Sequence, residues 1–193
     1  MSRRDDQQLA SDKLRVRFVF CEDRYAHEVQ VADGADWRCL LRSVEGSPLE
    51  AWPASPPLQS LHMEDRGGNQ RLALLVGMAG QSHWSASIEL DTATSCARFD
   101  IACRVRAPAA ASLMSTYEFV PGVTTIVFDD CTGYVSRRKQ VGGSRSRIQV
   151  GASREWAVLE FVPGQLKIVA VDDAPSSATR TVQWGYTLAW QES

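Results

Sequence analysis

No two cysteines in this sequence stand closer than seven positions: Cys21, Cys39, Cys96, Cys103 and Cys131 are an odd set of five scattered over 193 residues. A Cys-x-x-Cys unit for zinc or dithiol chemistry is therefore missing, and so is a disulfide framework. Reduced thiols in a cytoplasmic protein are the expectation. Histidine is scarce as well. His27, His62 and His83 are the three in the chain, and they show neither H-x-H nor H-E-x-x-H spacing, so no metal and no cofactor is expected. No stretch approaches the roughly 20 apolar residues of a membrane-spanning helix. The charged start Met1-Ser2-Arg3-Arg4-Asp5-Asp6 leads into no apolar segment of the secretory kind. Charge of one sign is also lacking: 21 Lys and Arg against 23 Asp and Glu leave a net −2, too little for a global field that would attract nucleic acid or an acidic membrane.

What is present is alternation. Leu14, Val16, Phe18 and Phe20 are spaced by two, the polar Cys21-Glu22-Asp23-Arg24 follows, and Tyr25 to Val31 alternates again. That pattern predicts a hairpin with Phe20 opposite Tyr25, Val16 opposite Val29, Leu14 opposite Val31, and a cross-strand charge pair between Arg17 and Glu28. Further strands are expected over 58–64, 71–76, 83–91, 97–106, 115–120, 123–128, 134–139, 147–151, 156–162, 165–171 and 181–190. Trp37, Leu40, Leu41 and Val44 fall at helical spacing, with Asp36 as N-cap and Gly46 beyond, and predict one short helix over about 36–45. A further helical turn is conceivable over Pro108 to Met114. Helices are otherwise missing between strands, which excludes a doubly wound parallel sheet. The expected class is mainly β, an antiparallel sandwich or partly closed barrel of about 11–13 short strands. Residues 1–12 read as a flexible tail and 13–193 as one domain, with an ordered loop over 47–57 rich in proline (Pro48, Pro53, Pro56, Pro57).

One phrase occurs twice. Glu118-Phe119-Val120-Pro121-Gly122 returns as Glu160-Phe161-Val162-Pro163-Gly164, and each copy runs on to Ile-Val and then a pair of aspartates, Asp129-Asp130 and Asp172-Asp173. Pro-Gly suits the centre of a type II turn, whereas a two-residue hairpin favours types I′ and II′, so both copies are expected at bends between sheets. Two copies are too few for a repeat array. The aspartate pairs lack the D-x-D-x-D-G pattern of calcium loops and read as turn formers.

The candidate site grows from Gly77-Met78-Ala79-Gly80-Gln81-Ser82-His83-Trp84-Ser85. If 92–95 is a four-residue turn, Glu89 opposes Arg98, Ser87 opposes Asp100 and His83 opposes Arg104, all on one face. Trp84, Ala86, Ile88 and Leu90 then meet Phe99, Ile101, Cys103 and Val105 on the core side. His83, Ser85, Asp100 and Arg104 would line a polar groove for an anionic or carbonyl-bearing ligand, with Glu45 and Trp52 of the proline-rich region as a wall. An imidazole there is suited to proton transfer. The competing reading of that face is a solvated surface. A dinucleotide site is excluded by the lack of G-x-G-x-x-G and by period two where a helix should begin. No G-x-S-x-G elbow is present, and the adjacent Ser82 and His83 point to opposite faces of a strand. His27 belongs to an apolar face and reads as a core histidine. Arg137, Arg138, Lys139, Arg145 and Arg147 form a basic strip around Gly142-Gly143-Ser144, open to phosphate contact but poor in stacking aromatics, so nucleic acid is an unfavoured partner. Trp84, Trp156, Trp184 and Trp190 are expected in the core.

The function expected first is therefore non-catalytic: binding of a small ligand or of a protein. A cofactor-free hydrolase or lyase is the second reading, with His83 as acid or base, Arg104 stabilising negative charge, and Ser85 and Asp100 orienting the ligand. Weak nucleic-acid binding through 137–147 is the third.

Overall fold

The computed structural model describes residues 7–106, 112–137, 146–172 and 179–192. Fifteen strands and no helix occur among them: β1 (Gln7–Ala10), β2 (Leu14–Cys21), β3 (Arg24–Asp33), β4 (Asp36–Ser43), β5 (Ser60–Asp65), β6 (Gln70–Ala79), β7 (Ser82–Asp91), β8 (Cys96–Val105), β9 (Met114–Phe119), β10 (Val123–Val127), β11 (Thr132–Arg137), β12 (Ser146–Ala152), β13 (Ala157–Val162), β14 (Gln165–Ala170) and β15 (Arg180–Glu192). They form two antiparallel sheets, seven strands in the order β1-β2-β3-β4-β9-β14-β13 and eight in the order β10-β11-β12-β15-β8-β7-β6-β5. The sheets pack face to face as a sandwich around one apolar cluster to which both contribute.

The opening hairpin has the register its alternation demands, from Leu14 opposite Val31 to Phe20 opposite Tyr25. Arg17 and Glu28 form the expected ion pair at 3.4 Å. Leu14, Val16, Phe18, Val29 and Val31 are all buried, each a side chain whose removal from water stabilises the fold by roughly 1.5–3 kcal/mol. In β7 and β8, His83 opposes Arg104, Ser87 opposes Asp100 and Glu89 opposes Arg98, and every inward residue named above is buried. β15 buries Val182, Trp184, Tyr186 and Leu188.

Three expectations need correction. The helix over 36–45 is a strand. β4 pairs with β3, and the register slips so that Leu41 opposes Val29 while Cys39 opposes Gln30, leaving Leu40 as the extra residue of a β-bulge. The bulge turns two consecutive leucines inward, both fully buried, and adjacent apolar residues are what imitated the helical i+3, i+4 pattern. The tail is likewise in part a strand, since β1 pairs with β2 and buries Leu9 against the core. Finally, the two Pro-Gly turns differ. Pro121-Gly122 carries the chain from one sheet to the other as expected. Pro163-Gly164 instead closes a two-residue hairpin, because Val162 opposes Gln165. Gly164 supplies the φ of +79° that a type II turn requires. β13 is an edge strand, so the poor match of such a turn to strand twist disturbs a single pairing. The stretch 108–111 lies outside the described residues, and β9 begins at Met114.

The proline-rich connection is anchored. Ser55 is buried and bonds both backbone groups of Thr116, accepting from its N–H at 3.0 Å and donating to its carbonyl at 3.1 Å. Tyr25 N–H donates to Leu58 O at 2.7 Å. Gly77 makes the closest approach: a Cβ there would collide with the Pro57 carbonyl.

Candidate functional site

The outer face of the eight-stranded sheet is organised as rows running across four strands. Leu74, Ser87, Asp100 and Gly185 form one row, Val76, Ser85, Ala102 and Gln183 the next, and Met78, His83, Arg104 and Thr181 the third. Read down the strands, β6 contributes a column of large apolar side chains, β7 hydroxyls and an imidazole, β8 the two charged groups, and β15 small or amide side chains. An outward column of apolar residues is the anomaly here. Leu74, Val76 and Met78 are 38%, 56% and 46% exposed, although solvated sheet faces ordinarily carry polar residues.

These rows floor a trough of about 1080 Å³ that runs from Leu74 and Val76 past Ser85, Ser87, Asp100 and Gly185 to Gly151 and Trp156. Five strands from β6 to β12 put its length near 20 Å, at ~4.8 Å per strand. Trp156 follows the β12 turn and stands as the far wall, 48% exposed, which corrects its expected place in the core. Trp84 and Trp184 are in the core, edge to face at 6.1 Å. Trp190 is partly buried against it.

A second hollow of about 520 Å³ continues the trough, sharing Val76, Ser85 and Ala102 with it, and holds His83 and Arg104 beside Met78, Gln59, Ser60 and Thr181. Gln59 is fixed there, accepting from Met78 N–H at 3.0 Å and donating to Met78 O at 3.3 Å. His83, Ser85 and Arg104 are exposed, and Arg104 has no acidic partner among the described residues. Arg98 and Asp100, in contrast, neutralise each other at 3.0 Å. Thus His83, Arg104 and Ser85 come together as expected, while Asp100 belongs to the main trough and is already paired.

Glu45 and Trp52 do not join them. Glu45 sits at the end of β4, where it accepts a hydrogen bond from Ser43 Oγ, its backbone carbonyl accepts from Arg24 at 3.2 Å, and burial pushes its carboxyl pKa up to about 7. Trp52 packs against the core. Both are drawn inward because the loop is tied to β9 through Ser55 and to β3 through Leu58, away from the outer face of β7 and β8.

Of the basic strip, Arg138, Lys139 and Arg145 lie outside the described residues. Arg147 is half-buried with its guanidinium 4.2 Å above the Tyr134 ring, and Arg137 is exposed at the end of β11. One group among the described residues is compact enough for a metal ion, Asp129, Asp130 and Cys131, and its members are engaged: Asp129 accepts from Cys131 N–H at 2.8 Å and Asp130 pairs with Arg154 at 2.7 Å. His27 is buried and bonded to Tyr117 at 2.6 Å, as a core histidine should be. No helix among the described residues is long and apolar enough to cross a membrane.

The apolar column and Trp156 had no place in the sequence reading of the site. A signal existed for the first: Leu72-Ala73-Leu74-Leu75-Val76 is apolar at every position, and in an antiparallel sheet this places apolar side chains on both faces. The chain matches no protein-family model and no curated protein.

Proposed function

We propose that this protein is a non-catalytic binding module for a small amphipathic anion, taken up on the outer face of the eight-stranded sheet. The observation that carries this reading is the junction of an exposed apolar column, Leu74-Val76-Met78, with an arginine that has no acidic partner among the described residues, Arg104, inside one continuous trough. A carboxylate, sulfonate or phosphate head would accept hydrogen bonds from Arg104, His83 and Ser85. The apolar body would lie over Val76 and Ala102 and extend toward Trp156. Binding rather than turnover is favoured because, among the described residues, His83 has no side chain hydrogen-bonded to it to fix its tautomer, as a working general base requires. Five free cysteines support a reducing, cytoplasmic setting.

The test is a titration with decanoate and with 8-anilinonaphthalene-1-sulfonate, using decan-1-ol as the uncharged control and tryptophan emission as one readout. Decanoate should bind and perturb emission in the wild type but not in Trp156→Phe. Arg104→Gln should weaken it about tenfold, the loss of one charge-assisted bond of ~1.4 kcal/mol. Equal affinity for decanol and decanoate, or indifference to Arg104→Gln, would reject the reading. A carbonyl-bearing anion that the wild type converts and His83→Ala does not would replace binding by catalysis.

A further inference from the structure

The four sheet edges are not equally protected. β1 is only four residues long, β5 carries His62, Glu64 and Asp65, and β13 carries an exposed Glu160. β10, the other edge of the eight-stranded sheet, has no charged residue from Val123 to Phe128. Its apolar side chains are unusually bare, with Ile126, Val127 and Phe128 exposed by 52%, 50% and 62%. Natural edge strands are shortened, charged or covered because a free ladder of backbone groups recruits another strand. No described segment covers β10.

We infer that β10 is a dimerisation edge whose occupant is β10 of a second copy of this chain, paired antiparallel about a two-fold axis at Thr125. Phe128 N–H donates to Thr132 O at 3.1 Å, so by alternation Thr124 and Ile126 also turn their backbone groups to β11. Thr125 and Val127 turn theirs to the open edge, and so does the Val123 carbonyl, while Val123 N–H is given to Val120 O at 3.2 Å. With Thr125 opposite Thr125 of the second copy, Val123 meets Val127 in both directions, and the Thr125 N–H and carbonyl, the Val127 N–H and the Val123 carbonyl of each chain make about four inter-chain backbone bonds. The arrangement is isologous and closes on itself, giving one dimer rather than a fibre.

Charge selects this register. Arg137 lies opposite Val123, has its guanidinium nitrogen 3.8 Å from where a Cβ on Gly122 would be, and has no acidic partner among the described residues. Asp129 has no cationic partner among them either; one oxygen caps its own turn through Cys131 N–H. Within one chain the length of β10 separates the two, roughly 20 Å at ~3.4 Å per residue. In the two-fold pair, Asp129 of the second copy passes Pro121 and Gly122, beside Arg137, and the contact occurs twice.

Sedimentation velocity from ~1 to ~200 μM tests this, with the weight-average mass expected to climb from 21.3 kDa toward twice that value. Thr125→Pro removes an edge N–H that has no intramolecular acceptor among the described residues and should leave a monomer of unchanged circular dichroism. Arg137→Glu should weaken association about tenfold, and the double variant Arg137→Glu, Asp129→Lys should recover the wild-type value within about twofold. The charge-swap pair decides the matter should Thr125→Pro fail to fold. A wild type that stays monomeric at ~200 μM, a dimer indifferent to Thr125→Pro, or a double variant as weak as the single one would each overturn the assignment.

Discussion

Tyr117 of β9 and Tyr186 of β15 come from opposite sheets and hold their hydroxyls 2.6 Å apart in the middle of the sandwich. The Tyr117 hydroxyl also bonds His27 Nε2 at 2.6 Å, and Trp184 Nε1 donates to Ser115 Oγ at 3.1 Å close by. All of these groups are buried. Burial raises both phenol pKa values and lowers that of His27 to about 4, so the chain of bonds is neutral. It joins the two sheets inside their largely apolar interface, and it requires the packing of β9 against β15 across the sandwich, which also brings Ser115 and Trp184 together.

Tyr117→Phe removes the central member and leaves the His27 nitrogen and the Tyr186 hydroxyl each short of a partner. The expected cost is about 1–3 kcal/mol, the penalty of unsatisfied buried polar atoms rather than the worth of an average hydrogen bond. Urea unfolding followed by tryptophan emission measures it. An unchanged midpoint would mean that water or rearrangement satisfies both groups.

A second expectation concerns pH. His27 falls from 6.5 in the unfolded chain to about 4 when folded; the unfolded state takes up its proton first, so this residue costs stability as pH falls from about 6.5 toward 4. Glu45 rises from 4.5 to about 7, driven by burial, and costs stability as pH rises from 4.5 through 7. Between about 4.5 and 6.5 the two slopes oppose. Wild-type Tm should therefore vary little in that window, whereas in Glu45→Gln it should drop steadily as pH is lowered from 6.5 to 4.5. Parallel Tm profiles for the two proteins would show that the offset does not operate.

The bulge in β4 makes a third. In a regular strand one of two neighbouring leucines faces solvent and is replaceable. Here Leu40→Ala and Leu41→Ala should each cost about 2–5 kcal/mol, the range for truncating a fully buried leucine. Chemical denaturation of the two variants settles it, and a cost below ~1 kcal/mol at either position would contradict the bulge.

That element also explains what was readable beforehand. Strands whose side chains alternate strictly, such as Leu14 to Phe20 and Thr181 to Trp190, declare their faces and their register through period two alone. Asp36 to Ser43 breaks the period at Leu40 because an unpaired residue is inserted, and a local pattern carries no trace of the partner strand that causes the slip. β1 was lost for a related reason: Gln7-Gln8-Leu9-Ala10 offers one large apolar side chain, Leu9, and its strand character comes from pairing with β2. In the site, His83, Ser85 and Arg104 were legible because they sit on adjacent strands joined by a short turn. Trp156, Gln183 and Gly185 reach the same trough from distant parts of the chain through the placement of β15 between β12 and β8, which no spacing in the sequence encodes. Glu45 was misassigned because its direction depends on the anchoring of the loop that follows.

The position of β15 has a bearing on biosynthesis. Translation delivers this strand after the other fourteen, yet it occupies the interior of its sheet, with three strands on one side and four on the other. Until it emerges, β10-β11-β12 and β8-β7-β6-β5 have no ladder between them, and the trough lacks the Gln183, Gly185 and Thr187 part of its floor. The nascent chain therefore passes through a stage with two open interior edges, and the floor of the trough is completed late and all at once when β15 inserts.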